Sequence, residues 1–261
     1  MEPKPPGWSA EYGAWFQEPS VAERYDFRPP YPAEVFEILA SLLGDGPRIV
    51  LDAGCGTGDL ARRLAPLVDA VDAVDQSSAM LAQARLLPGG AAGNLTWIES
   101  PIETASLRPP YGLVVAGESV HWFEWELALP RFASVLSPGG RLALVYRDWV
   151  RVPELAARLR PIYGRHAAKT DFTRRDVVEE LTRRELFERI GEQTTAPEKW
   201  RPTLDEVIGC HHSQSGFVLE KMDDPEGFDR ELAEVFDELV PKRDGRFELD
   251  VVATVTWGSP S

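Results

Sequence analysis

The sequence predicts an α/β protein built around a doubly wound, mostly parallel sheet, and three observations carry that prediction. From residue 48 to 146 short apolar runs alternate with stretches of helical periodicity, the pattern of parallel strands joined by crossover helices. The first of these runs, Ile49-Val50-Leu51, feeds a turn with three glycines and then a helical stretch bearing Leu60, Leu64 and Leu67. Over the whole 261 residues seven apolar runs suit strands, which one large domain, or one domain with a small subdomain, accommodates.

Residues 1 to 32 come first and read as an irregular arm. Trp8, Tyr12, Trp15, Phe16, Tyr25, Phe27 and Tyr31 supply rings to anchor it, while Pro29, Pro30 and Pro32 stop a helix at its end. Val35, Phe36, Leu39, Leu42 and Leu43 recur at helical spacing, and Gly44 and Gly46 close that helix. The core segment, 33 to 149, proceeds strand by strand. After the glycine turn comes a strand at 70 to 75, and Ser77 and Ser78 are N-cap candidates for a helix with Met80, Leu81 and Ala84. Strands follow at 95 to 98 and 113 to 116. Pro130 reads as the opening of a helix carrying Phe132, Val135 and Leu136, because a first-turn position has no bonded amide to lose. Ser137-Pro138-Gly139-Gly140 ends that helix, and 142 to 146 is the fifth strand.

Residues 150 to 185 hold two helical stretches, 154 to 163 and 174 to 183, with no strand between them, and are expected to form a small helical cap. The remainder, 186 to 261, is expected to complete the same sheet. It offers a sixth strand at 187 to 196, then a helix opened by a capping box of Thr203 and Glu206. A helix starting at Pro225 follows, with Phe228, Leu232, Val235, Phe236 and Leu239 on one face, and 247 to 257 alternates as a long seventh strand.

Composition removes several classes of function. Lys plus Arg number 28 against 42 Asp plus Glu, a net charge of −14 that repels polyphosphate, so nucleic acid is not an expected partner. Cys55 and Cys210, the two cysteines, are too few for a disulfide framework or a Cys-rich zinc site. His166, His211 and His212 share no ligand spacing, and no metal is expected. No run approaches the ~18 apolar residues of a membrane span, and the opening MEPKPPGWSA lacks the basic and then apolar stretches of a signal peptide. The expectation is a soluble, cytoplasmic protein with no membrane partner; oligomeric state is not legible. Charge is unevenly spread: residues 151 to 200 carry 11 Lys plus Arg against 9 Asp plus Glu, a local +2. That segment is either a solvated helical surface or a lid that meets an anionic substrate.

The most informative stretch is Val50-Leu51-Asp52-Ala53-Gly54-Cys55-Gly56-Thr57-Gly58-Asp59-Leu60. Glycine is needed where the backbone takes positive φ or where a ligand presses against it. A dinucleotide site favours Gly-x-Gly-x-x-Gly at a helix N-terminus; here the spacing is Gly-x-Gly-x-Gly, with Asp52 just before it. An acid at that point repels a pyrophosphate and suits an ammonium or a sulfonium. Seventeen residues beyond Gly58 the second strand ends in Val74-Asp75, where a carboxylate accepts both hydroxyls of a ribose. The two features together define a nucleoside site.

Residues 50 to 60 with 71 to 81 resemble the class I S-adenosylmethionine-dependent methyltransferases, and Ser137-Pro138-Gly139-Gly140 resembles that family's turn before strand five. The resemblance covers most of the chain. It implies a Rossmann-like, doubly wound, seven-stranded sheet with the last strand antiparallel, and S-adenosyl-L-methionine as cofactor, leaving S-adenosyl-L-homocysteine as product. By the same resemblance Gly54, Gly56 and Gly58, with Asp52 and Cys55 in the same turn, pass under the amino-acid and ribose parts of the cofactor. Asp75 binds the ribose diol and Gln76 edges the adenine. Family members commonly place an Asp after strand three for the adenine amino group; this chain has Ser100 and Pro101 there, leaving Glu103 or the Ile102 backbone. Cys55 stands where the family tolerates cysteine without using it, so it is not read as a nucleophile.

Gly117-Glu118-Ser119-Val120-His121-Trp122-Phe123 follows strand four, and in doubly wound sheets the loops at strand C-termini face the ligand. With Arg28-Pro29-Pro30-Tyr31-Pro32 upstream, this stretch resembles the small-molecule branch that includes trans-aconitate-type methyltransferases, in which the N-terminal arm folds over the cofactor. The arm of 1 to 32 is accordingly expected over the cofactor site, with Gly117 beside the cofactor. Tyr25 and Arg28 either contact its methionine end, Arg28 as partner to the carboxylate, or simply anchor the arm. Methyl transfer from a sulfonium is an in-line displacement, so alignment in a dry pocket carries much of the catalysis. A carboxylate acceptor needs no base; a phenol, alcohol or carbon acid does better with one. His121 is the candidate base, and the alternative is that it packs the pocket floor with Trp122. Trp122 and the adjacent pair His211 and His212, which sit on different faces of one helix, are candidate substrate contacts. The expected function is methyl transfer to a small organic molecule enclosed between the sheet's C-terminal edge and the cap of 150 to 185. Two other classes stay open: a non-catalytic S-adenosylmethionine-binding regulatory or partner protein, and a nicotinamide-dependent oxidoreductase, which the glycine spacing disfavours.

Overall fold

The computed structural model describes residues 2–169 and 176–261. In chain order the strands are β1 Ile49–Ala53, β2 Ala70–Asp75, β3 Leu95–Glu99, β4 Tyr111–Gly117, β5 Leu136–Asp148, β6 Phe187–Thr194, β7 Glu198–Trp200, β8 Lys242–Arg243, β9 Arg246–Phe247 and β10 Leu249–Pro260. The chain forms two units, the first of Met1–Pro30, Asp148–Thr173 and Pro197–Val252, the second of Tyr31–Arg147, Arg174–Ala196 and Ala253–Ser261. This division cuts across the segments read from the sequence. The two stretches expected to form one cap fall in different units, and the expected C-terminal segment is shared between them. Part of the second stretch, 174 and 175, lies outside the described residues.

The second unit holds the sheet, in the order β3-β2-β1-β4-β5-β10-β6. Pairs from β3 to β5 are parallel, and β10 runs antiparallel to β6. Val50, Leu51, Val71, Val74, Leu113 and Val115 are buried, which explains why apolar residues do not alternate with exposed polar ones there: strands covered on both faces need no alternation. The helices that bury them are amphipathic. Helix α3, Glu34–Ser41, turns Val35 and Leu39 inward, and α4, Asp59–Leu64, does the same with Leu60 and Leu64. Helix α5, Ser78–Leu86, is capped as expected by Ser77, whose hydroxyl accepts the Met80 amide.

The helix before β5 differs from its expected start. Helix α6 spans Trp125–Val135, with Pro130 inside it. Its beginning is fixed earlier by two contacts: the fully buried Trp125 ring donates its indole N–H to the Val120 carbonyl at 2.8 Å, and the Glu103 carboxylate accepts the Glu124 amide at 2.8 Å. Tertiary anchoring outweighs the amide that Pro130 lacks. β5 likewise begins sooner than expected, at Leu136, and the 137 to 140 turn appears as a register shift between Tyr111 and Leu113 on its partner.

The first unit is helical. It contains α1 Ala10–Ala14, α2 Pro19–Arg24, α7 Pro153–His166, α9 Leu204–His212 and α10 Pro225–Leu239, with β7 paired to the start of β10 and the β8–β9 ribbon. Leu155, Leu159 and Ile162 of α7 pack with Phe228, Leu232 and Phe236 of α10, the stripe that the 225 to 239 periodicity indicates. The remaining helix, α8 Val177–Arg183, belongs to the second unit. Among the described residues no helix is long and apolar enough to cross a membrane, and no group of three or more His, Cys, Asp or Glu could hold a metal ion.

The capping box opening α9 is complete: the Thr203 hydroxyl accepts the Glu206 amide at 3.2 Å, and the Thr203 amide donates to the Glu206 carboxylate at 2.7 Å. Thr203→Ala is expected to lower unfolding free energy in urea by about 1 kcal/mol, with Thr203→Ser near wild type; equal losses in both variants would remove the cap as the cause.

Candidate cofactor and acceptor site

The C-terminal ends of β1, β2 and β4 gather most of the expected cofactor residues. Register pairs Ala53 with Val74, and the turn that follows is laced to the end of β2. The Cys55 amide donates to the Val74 carbonyl at 2.9 Å, and the Gly56 amide to Asp75 Oδ2 at 2.7 Å. Asp75 Oδ1 accepts the Ser77 amide at 2.8 Å. Burial pushes the Asp75 carboxyl up, and its amide bonds oppose the rise. Gly54 and Gly58 have φ of 66° and 76°. A Cβ on Gly54 would lie 2.6 Å from Ser119 Cβ, and one on Gly58 2.3 Å from the Trp97 ring. The turn's own packing thus requires glycine at both places, before any ligand is considered.

Asp52 lies buried beneath this turn and has a structural duty. The N-cap of α4 is Gly58, which has no side chain to cap with, so Asp52 Oδ2 reaches from β1 to accept the Ala61 amide at 3.0 Å. Burial pushes Asp52 up to about 7; the Ala61 bond opposes this and the charges of Asp75 and Asp59 add to it. Cys55 is buried, and burial with the charges of Asp75 and Asp52 holds its thiol well above the usual range. It is a packed thiol, not a thiolate nucleophile. Gln76 is exposed beside Asp75, Ile102 is buried, and Glu103 Oε1 is the acceptor that fixes the start of α6.

β4 and β5 build the other half of the site. Gly117 pairs with Val145, so Glu118 emerges beside Tyr146 and Arg147. Glu118 has a φ of 52°, a left-handed conformation that costs about 1 kcal/mol or more for a side-chain-bearing residue. Arg147 holds it there: its backbone amide and Nε donate to Glu118 Oε1 at 3.0 and 3.1 Å, and Nη2 donates to Oε2 at 3.1 Å. The buried guanidinium also lies 4.0 Å from the Tyr31 ring centre and 3.6 Å from Asp59. With Glu118 fixed, the Ser119 hydroxyl donates to the Ala53 carbonyl at 2.7 Å and the turn Val120–Trp122 carries His121. His121 Nδ1 lies 3.3 Å from the Tyr146 hydroxyl, and its ring centre is 4.4 Å from that of Trp122. Burial, then the charges of Glu118 and Asp176, hold the Tyr146 hydroxyl well above the usual tyrosine range. Sequence reasoning missed Glu118, Tyr146 and Arg147 as site residues. The signal was present, because the strand-end rule applied to β4 applies equally to β5.

Tyr25, Arg28, His211 and His212 belong to the first unit. Arg28 lies over the Tyr25 ring at 4.1 Å and donates through Nε and Nη2 to the hydroxyl and carbonyl of Ser213 at 2.9 and 2.6 Å. These bonds tie the arm to the end of α9. His211, expected against substrate, is instead a core residue. It is fully buried, with Nδ1 on the Val207 carbonyl at 2.7 Å and Nε2 on the Tyr163 hydroxyl at 2.8 Å, among Trp149, Phe228 and Phe236. Burial pushes it down to about 4, so it is neutral. His212 is also buried, between the Phe217 carbonyl at 2.7 Å and Asp229 at 2.8 Å.

Residues 50–140 match the family described as methyltransferase domain. An uncharacterised methyltransferase of Mycobacterium tuberculosis is 40% identical over 131 residues, covering 48% of this chain and 51% of that protein. Trans-aconitate 2-methyltransferase of Delftia acidovorans is 36% identical over 121 residues, 43% of this chain and 42% of that protein. The chain thus spans about half the length of the curated relatives it matches. Among solved structures, a proposed type II methyltransferase of Anaeromyxobacter dehalogenans superposes with a TM-score of 0.64 at 22% identity, over 90% of this chain and 99% of that one. A methyltransferase of Geobacter sulfurreducens in complex with S-adenosyl-L-homocysteine gives 0.50 at 17% identity, over 90% and 93%. At these identities the likeness is one of fold. Sheet order and glycine turn are those of the class I methyltransferase fold, and residues 50–140 are similar to the methyltransferase domain family.

The Asp52 carboxyl generates a pH prediction. Asp52→Asn keeps an acceptor for Ala61 but cannot ionise. Between the ordinary value of 3.8 and about 7 the folded protein retains a proton that the unfolded chain has released, so raising pH through this window removes stability. Urea titrations should show wild type losing stability relative to Asp52→Asn between those values and running parallel to it above them. A pH-independent difference would exclude the buried acid.

Proposed function

We propose that the protein binds S-adenosyl-L-methionine at the glycine turn of the second unit and transfers its methyl group to a small organic molecule. The observation that carries this reading is the carboxylate of Asp75 held at the end of β2 by the Gly56 and Ser77 amides, one on each oxygen. Each carboxylate oxygen has a second lone pair, so the group retains acceptors for two neighbouring ribose hydroxyls. Asp52, Asp75 and Asp59 supply the negative surroundings that a sulfonium and an ammonium require, and that a pyrophosphate would not tolerate. Gln76 and the Ile102 backbone take the adenine edge in this reading, since the Glu103 carboxylate is occupied at α6.

When bound, the cofactor supplies a methyl group on a positively charged sulfur. The chain's contribution is to hold donor and acceptor in line and to manage the acceptor's proton. The acidic composition supports a small molecule over nucleic acid, and similarity to a trans-aconitate 2-methyltransferase supports the same class.

Asp75→Ala removes a carboxylate that makes two charge-assisted hydrogen bonds to ribose, and is expected to weaken cofactor binding in calorimetry by about 2 to 4 kcal/mol. Unchanged affinity in a folded variant would refute the site. In a thermal-shift comparison S-adenosylmethionine and S-adenosylhomocysteine should raise the melting temperature and NAD should not. Affinity for the donor should also rise between pH 6 and 8, with proton release on binding, because a cation beside Asp52 favours its ionised form; Asp52→Asn should abolish that slope.

A further inference from the structure

On the reading of the glycine turn as the donor site, we infer that Arg62 and Trp97 are positioning residues for the methyl donor. They hold the second half of the glycine turn in its binding shape, and both are anchored on the Leu87-Pro88-Gly89-Gly90 turn between α5 and β3. All of these residues belong to the second unit.

The two halves of the glycine turn are held by different means. Cys55 and Gly56 donate their amides to the end of β2, at the Val74 carbonyl and the Asp75 carboxylate. Thr57 and Gly58, both buried, are fixed from α4 and β3 instead. Arg62 grips both of their carbonyls: its Nε donates to Thr57 at 3.1 Å and its backbone amide to Gly58 at 2.8 Å. On β3 the Trp97 ring fills the space beside Gly58, where a Cβ would lie 2.3 Å from Cη2 and 2.7 Å from Cζ3. Between these contacts the Gly58 amide donates back to the Cys55 carbonyl at 2.8 Å and closes the turn.

Both side chains take their bearing from one rigid place. Arg62 Nη1 donates to the Pro88 carbonyl at 2.9 Å, and Trp97 Nε1 donates to the Gly90 carbonyl at 2.9 Å. The chain is stiff there by its own sequence. Pro88 fixes φ at the first central position, Gly89 supplies a φ of 86° at the second, and the Gly90 amide closes on the Leu87 carbonyl at 2.9 Å, the pattern of a type II turn. The Gly89 carbonyl accepts the Ala92 amide at 3.1 Å, so every carbonyl from Leu87 to Gly90 is engaged, two of them by the side chains that carry the glycine turn. A Cβ on Gly89 would lie 3.2 Å from the Arg62 carbonyl and one on Gly90 2.1 Å from the Ala84 carbonyl, which presses the turn against α4 on one side and α5 on the other. A loop that must order itself around a ligand subtracts that entropy from the affinity. Here the half of the glycine turn that β2 does not hold is ordered in advance, so Arg62 and Trp97 raise donor affinity through the backbone of Thr57 and Gly58.

Two variants and a control test this. Arg62→Met removes the side-chain donors and keeps an apolar stem; Trp97→Leu keeps an apolar residue but removes the indole donor and the ring edge at Gly58. The control is Leu43→Ala, a buried side chain packed by Gly112 at the start of β4, the opposite edge of the sheet from the site. Amide hydrogen exchange in the ligand-free protein comes first. The Gly58 amide is expected to exchange roughly 10-fold faster in Arg62→Met and Trp97→Leu than in wild type, while the Gly56 amide, held by Asp75, keeps its rate; bound S-adenosylhomocysteine should restore the protection of Gly58. A merely structural loss would speed both amides alike. Calorimetry well below the melting temperature should then show S-adenosylmethionine and S-adenosylhomocysteine binding roughly 10-fold more weakly to each variant, and Leu43→Ala should lower the melting temperature with affinity unchanged. Arg62 is only partly buried, so Arg62→Met decides the matter alone if Trp97→Leu does not fold. Wild-type exchange at Gly58 or unchanged affinity in Arg62→Met overturns the positioning role, and so does an equal loss of affinity in Leu43→Ala. A wild-type protein that binds neither S-adenosyl compound defeats the methyl-transfer reading instead, and exchange in the ligand-free protein keeps the two failures apart.

Discussion

The hydrogen bond from the Gly56 amide to Asp75 makes the ends of two adjacent strands into one structure, and much of the site depends on it. A parallel sheet leaves the C-terminal amides and carbonyls of its strands without ladder partners, so something must receive them. Here the carboxylate of Asp75 takes one amide from the turn and one from the start of the next helical segment. The turn is thereby drawn between Ser119 on one side and Trp97 on the other, with no room for a Cβ at Gly54 or Gly58. Since Gly58 is the N-cap of α4, capping passes to Asp52 on the preceding strand.

The other side of the site solves the same problem with a guanidinium. Glu118 leaves β4 in a left-handed conformation, and a two-pronged contact from Arg147 over the end of β5 stabilises it. Crowded carboxyls are tolerable only as far as donors meet them. Glu118 has the full fork of an arginine and Asp75 has several amides, whereas burial drives Asp52 to about 7, with one amide to oppose the rise and two acidic neighbours to add to it.

The sheet was readable because its signals are local and redundant. Each of β1, β2 and β4 is an apolar run bounded by turn residues, and Ser77, Thr203 and Pro225 mark helix starts that the structure reproduces. Pro130 misled because proline is an N-terminal signal only when nothing further upstream anchors the helix; the Trp125 indole and the Glu103 carboxylate are such anchors, and they act across the fold. The glycine turn was legible for chemistry, but its packing against Trp97 was not, since it pairs residues about forty positions apart. His211 and His212 looked available because polar neighbours surround them in sequence. Their partners, Tyr163, Val207, Phe217 and Asp229, come mostly from other elements that periodicity alone cannot bring together.

β10 pairs through Leu249–Val251 with β7 in the first unit and through Thr254–Pro260 with β6 in the second, and in the sheet it stands between β5 and β6. About a hundred residues separate the end of β5 from its start. During synthesis, then, the five parallel strands β1 to β5 are made long before β10, and the outer side of β5 waits as an open edge. Such an edge is where a nascent chain recruits the wrong strand. Translation speed and chaperone access over this interval, rather than the stability of the finished sheet, would govern how much of the protein reaches its native form.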